Sequence, residues 1–133
     1  MKYFTIEELI RSDTARTRGI DNNPLPDETE ALTRLVYNVL DPVRNEWGKP
    51  IRVNSGYRCT TLNKAVKGAV TSQHLKGEAA DITTGSKEGN KKLFELIRTL
   101  DLPYDQLIDE KNYSWIHISH RRENNRGQVL HLK

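Results

Sequence analysis

Ser72-Gln73-His74-Leu75-Lys76-Gly77-Glu78-Ala79-Ala80-Asp81 and, further along, Trp115-Ile116-His117-Ile118-Ser119 are the two stretches that decide how this chain folds. Side chains alternate across a β-strand, so Ile116 and Ile118 face a core while Trp115, His117 and Ser119 take the opposite, open face. A strand over 77 to 83 places Gly77, Ala79 and Asp81 on one face and Ala80 and Ile82 on the other. Small residues beside a carboxylate leave room that a row of valines would fill. With the two strands as neighbours, His117 meets Asp81, and His74 reaches both from the preceding loop. Two imidazoles and one carboxylate leave a fourth tetrahedral position for water, which is the donor set of a catalytic rather than a structural zinc site.

Water at such a metal needs a base to take its proton. The hairpin formed by 105 to 110 and 115 to 119 supplies one. With Lys111 to Ser114 as a four-residue loop, Glu110 pairs with Trp115, Ile108 with His117 and Gln106 with Ser119. Glu110 then shares the metal face, diagonally from His117 at roughly 7–8 Å, and Asp109 faces away. A register slip of one residue would exchange the two acids. Arg58 offers fixed paired donors for a substrate carboxylate or for a carbonyl oxygen that gains charge. Ser72 either caps a turn or makes an outer hydrogen bond beside a ligand. Trp115 reads as a packing aromatic or a substrate platform, and Gln106 joins these two as a candidate for contact with substrate or support of the ligands. His120 and His131 fall outside the pattern.

The remaining sequence bounds the setting. Its 133 residues, 35% of them hydrophobic, suit one domain, 1–133, around one modest core. A net charge of +3 comes from 21 basic and 18 acidic residues spread along the chain. Without a dense basic arm, no nucleic-acid partner is expected, although a pI near 9.0 suits a polyanionic surface such as a cell-wall polymer. Cys59 is the only cysteine, which excludes an internal disulfide and a cysteine-cluster metal site; it reads as a small buried residue. No apolar run is long enough for a signal peptide or a membrane span, so cytoplasmic synthesis and no membrane partner are expected.

The element pattern begins with a helix capped by Thr5 and running to about Ser12, then a polar loop over 13 to 26. A second capping box at Asp27 to Glu30 opens a long core helix from about 28 to 47, kinked at Pro42. A strand at 51 to 54, a helical turn within 60 to 67, an amphipathic helix from 87 to 100 and a last strand at 128 to 132 complete it. The order predicts an α+β domain, with helices packed on one face of a small, mainly antiparallel sheet.

The residues Ser72, His74, Gly77, Ala79 and Asp81 spell S-x-H-x-x-G-x-A-x-D, and Trp115 with His117 spells W-x-H. Together with Ser55-Gly56-Tyr57-Arg58, Leu62-Asn63 and Gln106-Leu107-Ile108, the chain resembles metallopeptidase family M15 from about Thr5 to His131. That group comprises D-Ala-D-Ala carboxypeptidases, dipeptidases and phage L-Ala-D-Glu endopeptidases, and is related in fold to the metal-binding signalling domain of Hedgehog. The resemblance implies Zn2+ bound by His74, Asp81 and His117, with Arg58 steadying substrate. It further implies hydrolysis of peptidoglycan stem peptides by a carboxypeptidase or endopeptidase at the cell wall or periplasm. The lack of a leader points to a phage- or prophage-type lytic enzyme, an endolysin, and a monomer is expected.

One departure stands out. Several branches of that family carry the catalytic acid three residues before the last histidine, where this chain has Ser114. The base must then come from the other hairpin arm, from Glu110. An alternative reading is a non-catalytic, metal-stabilised module for cell-wall binding or signalling. A non-haem iron oxygenase also uses two histidines and a carboxylate, but places the first pair nearly adjacent.

Overall fold

Buried apolar stripes on the N-terminal helices and one apolar sheet face meet in a single core, in a computed structural model that describes residues 1–133. Helix α1 (Ile6–Ile10) starts at Thr5, whose hydroxyl accepts from the Glu8 amide, and buries Leu9. Residues 13 to 26, expected as loop, contain a further helix, α2 (Asp13–Arg18). Ser12 caps it by accepting from the Ala15 amide, and Gly19 ends it in the left-handed conformation. With only Ala15 buried, α2 lacks the apolar periodicity that would have announced it.

Pro26 occupies the first turn of α3 (Pro26–Leu35), where its missing N–H costs nothing. Glu28 reaches back to the Leu25 amide, two residues earlier in register than the expected box at Asp27 to Glu30. The irregularity expected at Pro42 is a π-turn, Val36–Leu40, joining α3 to α4 (Asp41–Trp47). The Asp41 amide donates to the Val36 carbonyl five residues back. This wider turn removes the clash that a proline ring makes with the carbonyl four residues before it. Leu32, Leu35, Val36, Val39, Leu40 and Val43 from this continuous helical stretch are fully buried.

Five strands form one sheet in the order β1-β2-β4-β3-β5. They are β1 (Arg52–Ser55), β2 (Ala79–Thr83), β3 (Gln106–Glu110), β4 (Trp115–Ser119) and β5 (Gln128–Leu132). All pairs are antiparallel except β3 with β5, which run parallel. Ala80, Ile82, Leu107, Ile116 and Ile118 bury against α1, α3, α4 and the amphipathic helix α6 (Lys87–Thr99), which contributes Leu93, Phe94 and Ile97. The hairpin register is the expected one, with Glu110 opposite Trp115 and Ile108 opposite His117. Its turn is tight, with Lys111, Asn112 and Tyr113 all in the left-handed region.

The opposite sheet face is overlaid by the segment from β1 to β2, which contains α5 (Thr60–Ala65) and a 3-10 turn, Gln73–Lys76. Cys59, expected as a buried small residue, is half-buried and caps α5 through its sulfur. Gly77 was expected within the β2 strand, clearing space for an ion. It instead ends the 3-10 turn at φ 71°, and a side chain there would stand 2.5 Å from the Glu28 carbonyl oxygen. Its absent side chain therefore serves the turn that presents His74. Gly77→Ala is expected to lose about 1–2 kcal/mol from the left-handed conformation alone, read as a lower urea midpoint, with His74 displaced in the same variant.

Candidate metal centre

The 3-10 turn carries His74 inward until it is 3% exposed. Its Nδ1 lies 2.7 Å from the Gly56 carbonyl oxygen, an acceptor only, so Nδ1 carries the proton and donates. Nε2 is then a bare lone pair, 3.3 Å from Asp81 Oδ1. His117 stands directly opposite Asp81 across the β2–β4 pair, and its Nδ1 lies 3.1 Å from the same oxygen. The two rings meet edge to face with centroids 5.2 Å apart. One donor atom from each of the three residues lies within 4.8 Å of the others.

These separations fit a cation. Zinc at about 2.0–2.1 Å from each of its donors sets tetrahedral donor atoms about 3.3 Å apart, close to the two distances from Asp81. Two imidazole nitrogens aimed at one carboxylate oxygen repel it as lone pairs; a metal ion, or a proton on each ring, turns that repulsion into attraction. Burial alone would push the Asp81 carboxyl up. With a proton on each ring, the charge of His74 and hydrogen bonds from both imidazoles outweigh it and hold Asp81 well below the usual carboxylate range.

Beside the three donors runs an open groove of about 410 Å³, and Arg58, Ser72, Gln106, Glu110 and Trp115 all line it with them. Glu110 Oε2 accepts from the Trp115 indole at 3.1 Å and lies 4.0 Å from His117 Nδ1. Trp115 thus tethers the acid. Asp109 turns to the helical side, where it pairs with His131. Burial lowers the Arg58 guanidinium from its ordinary value while Asp81 and Glu110 pull it back up, and its Nε has no partner. One of its terminal nitrogens donates to Ser72 Oγ at 3.4 Å. Ser72 also accepts from the His74 amide, so it caps the turn as well as touching the arginine. Ser114 lies in the hairpin turn and donates to the Lys111 carbonyl, away from the groove.

The sequence profile of the peptidase M15 family matches residues 2–119, most of the chain. The chain belongs to that family. Over 49 residues, 36% of its own length, it is 47% identical to the zinc D-Ala-D-Ala carboxypeptidase of Streptomyces albus G. That match spans about a fifth, 19%, of the relative's length.

Three features of this M15 site were not read from the sequence. Gly56 passes so close to Leu9 that any side chain would collide with the Leu9 carbonyl, and this approach aims the Gly56 carbonyl at His74. Buried Asn22 donates to the Ile10 and Tyr57 carbonyls and accepts from the Cys59 amide, fixing the backbone on either side of Arg58. Gln73, the unspecified residue of S-x-H, bridges His117 and the fully buried Asp105. Its place next to His74 was the only sequence signal, and its partner lies 32 residues away.

Hydrogen bonds from Arg126, chiefly those of its side chain, hold the Asp105 carboxyl down to about 2 against the opposing effect of burial. A carboxyl depressed on folding stabilises the protein above its unfolded value, near 3.8, and that stability is lost as pH falls toward the folded value. The melting temperature of the M15 domain should therefore fall steeply between about pH 4 and pH 2, and Asp105→Asn should flatten the profile in that window.

Proposed function

We propose that the chain is a zinc-dependent peptidase, a single domain that hydrolyses peptide bonds in the stem peptides of bacterial peptidoglycan. The observation that carries this reading is the convergence of His74, Asp81 and His117 in an open groove that also holds a tethered carboxylate and a half-buried guanidinium. Membership of the M15 family and local identity to a zinc D-Ala-D-Ala carboxypeptidase support the metal and the substrate class. A phage- or prophage-type lytic role, with action at the wall and a monomeric state, belongs to the same proposal.

His74, Asp81 and His117 would hold the ion, and zinc so held would supply Lewis acidity toward the scissile carbonyl and acidify the attacking water. Glu110 takes the proton of the attacking water and returns it to the departing amine. Its position suits this because Trp115 occupies one carboxylate oxygen and holds the acid beside His117. Arg58 binds a substrate carboxylate or a carbonyl oxygen that gains negative charge, for which its partner-free Nε and partial desolvation prepare it. Ser72 steadies the arginine, and Gln106 contacts substrate on the same sheet face.

Zinc-loaded protein should release new amino termini from purified peptidoglycan. Glu110→Gln should keep zinc and lose about 10²–10⁴-fold in rate, whereas His74→Ala should lose zinc and activity together. Equal activity in Glu110→Gln would remove Glu110 from the mechanism. Inertness of the zinc-loaded parent toward every muropeptide would leave a metal-stabilised binding module in its place.

A further inference from the structure

The two imidazoles of the metal centre are not held alike. The proton on His74 Nδ1 is set by a backbone carbonyl, and Nε2 faces the centre. His117 has the reverse arrangement, with Nδ1 toward Asp81 and Nε2 pointing away from it, 3.3 Å from the Gln73 side-chain oxygen. A neutral imidazole carries one proton, so its metal-binding nitrogen is decided by what faces the other one. An amide side chain can offer either an acceptor or a donor, which leaves the question with whatever orients Gln73.

Asp105 answers it. The Gln73 Nε2 donates to Asp105 Oδ2 at 2.9 Å, and Asp105 is 0% exposed. The same carboxylate accepts from Arg126 Nη2 at 2.7 Å, from Arg126 Nε at 3.0 Å and from the Arg126 amide at 3.0 Å. Arg121 adds a second positive charge at 3.8 Å. Two guanidinium groups around one buried carboxyl keep it ionised, and an ionised carboxylate has only acceptors. The amide of Gln73 can therefore present only its NH₂ group to Asp105, which turns its carbonyl oxygen to His117.

We infer that Gln73, oriented by the buried Asp105–Arg126 pair, is a positioning residue that fixes His117 in the Nε2–H tautomer and so presents a bare Nδ1 to the metal. This rests on the reading of His74, Asp81 and His117 as a zinc site. Neither Gln73 nor Asp105 touches the reacting atoms; both act through the histidine. The link also ties the metal centre to the segment before β5, since Arg126 and Arg121 both lie beyond β4.

The test is made on metal-free and zinc-loaded full chain. Without the ion Asp81 also offers His117 Nδ1 an acceptor, at 3.1 Å, so the tautomer is read in the zinc form: long-range ¹H–¹⁵N spectra of the zinc-loaded parent should show His117 protonated on Nε2, and a proton on Nδ1 in that form overturns the inference without any variant. Gln73→Met keeps the length and removes the acceptor. It should move the His117 Nε2–H signal of the zinc form and bind zinc about 10–100-fold more weakly in competition with a chelator, while the metal-free form stays folded by circular dichroism. Zinc uptake by the parent together with unchanged affinity and an unmoved His117 Nε2–H signal in Gln73→Met overturns this inference alone. A parent that takes up no zinc overturns the proposed function and this inference with it.

Discussion

Two lone pairs aimed at one carboxylate oxygen are an unstable arrangement unless positive charge sits between them. At His74, Asp81 and His117 that arrangement is built into the backbone: a left-handed glycine ends the turn behind His74, and the β2–β4 register sets His117 against Asp81. None of the three side chains has an easy retreat. His74 is buried and bonded to Gly56, and Asp81 sits mid-strand between two paired neighbours. The fold therefore sets up a local electrostatic demand that positive charge, from ring protons or a cation, would relieve.

The helical layer serves this demand at a distance. Leu32 through Val43 and the inward side chains of α6 press on the apolar sheet face, and close packing fixes the strands to within small displacements. Strands held rigidly from behind present the groove side chains at set spacings, as a site of small tolerance requires. The widened turn before Pro42 preserves this layer by letting one continuous helical stretch pass a proline without a break. Asn90 adds a direct tie, reaching from α6 to the Tyr113 carbonyl in the hairpin turn.

Much of the site was legible because strand alternation is an unforgiving code. Two isoleucines flanking His117 allow it one face, and the four-residue spacing between Glu110 and Trp115 allows the hairpin one register, which fixes Glu110 rather than Asp109 in the groove. Helix α2 was not legible, because a six-residue helix with one buried alanine is written by its caps and not by periodicity. Gly77 was misplaced since S-x-H-x-x-G is compatible with either a strand start or a turn end, and only the approach of the Glu28 carbonyl separates them. The bridge from Gln73 to Asp105 is a tertiary contact, and local pattern carries no trace of it. The parallel pairing of β5 with β3 was equally silent, because a strand pattern does not name its neighbour.

The hairpin turn of Lys111, Asn112 and Tyr113, three successive left-handed residues, acts as a ruler between two adjacent acids. Asp109 is engaged on the helical side with His131, and Glu110 on the groove side with Trp115. Amino-acid replacements in such a turn change its cost, but a gain or loss of one residue would trade the two carboxylates between faces. The length of the turn, more than its letters, therefore decides which carboxylate faces the groove.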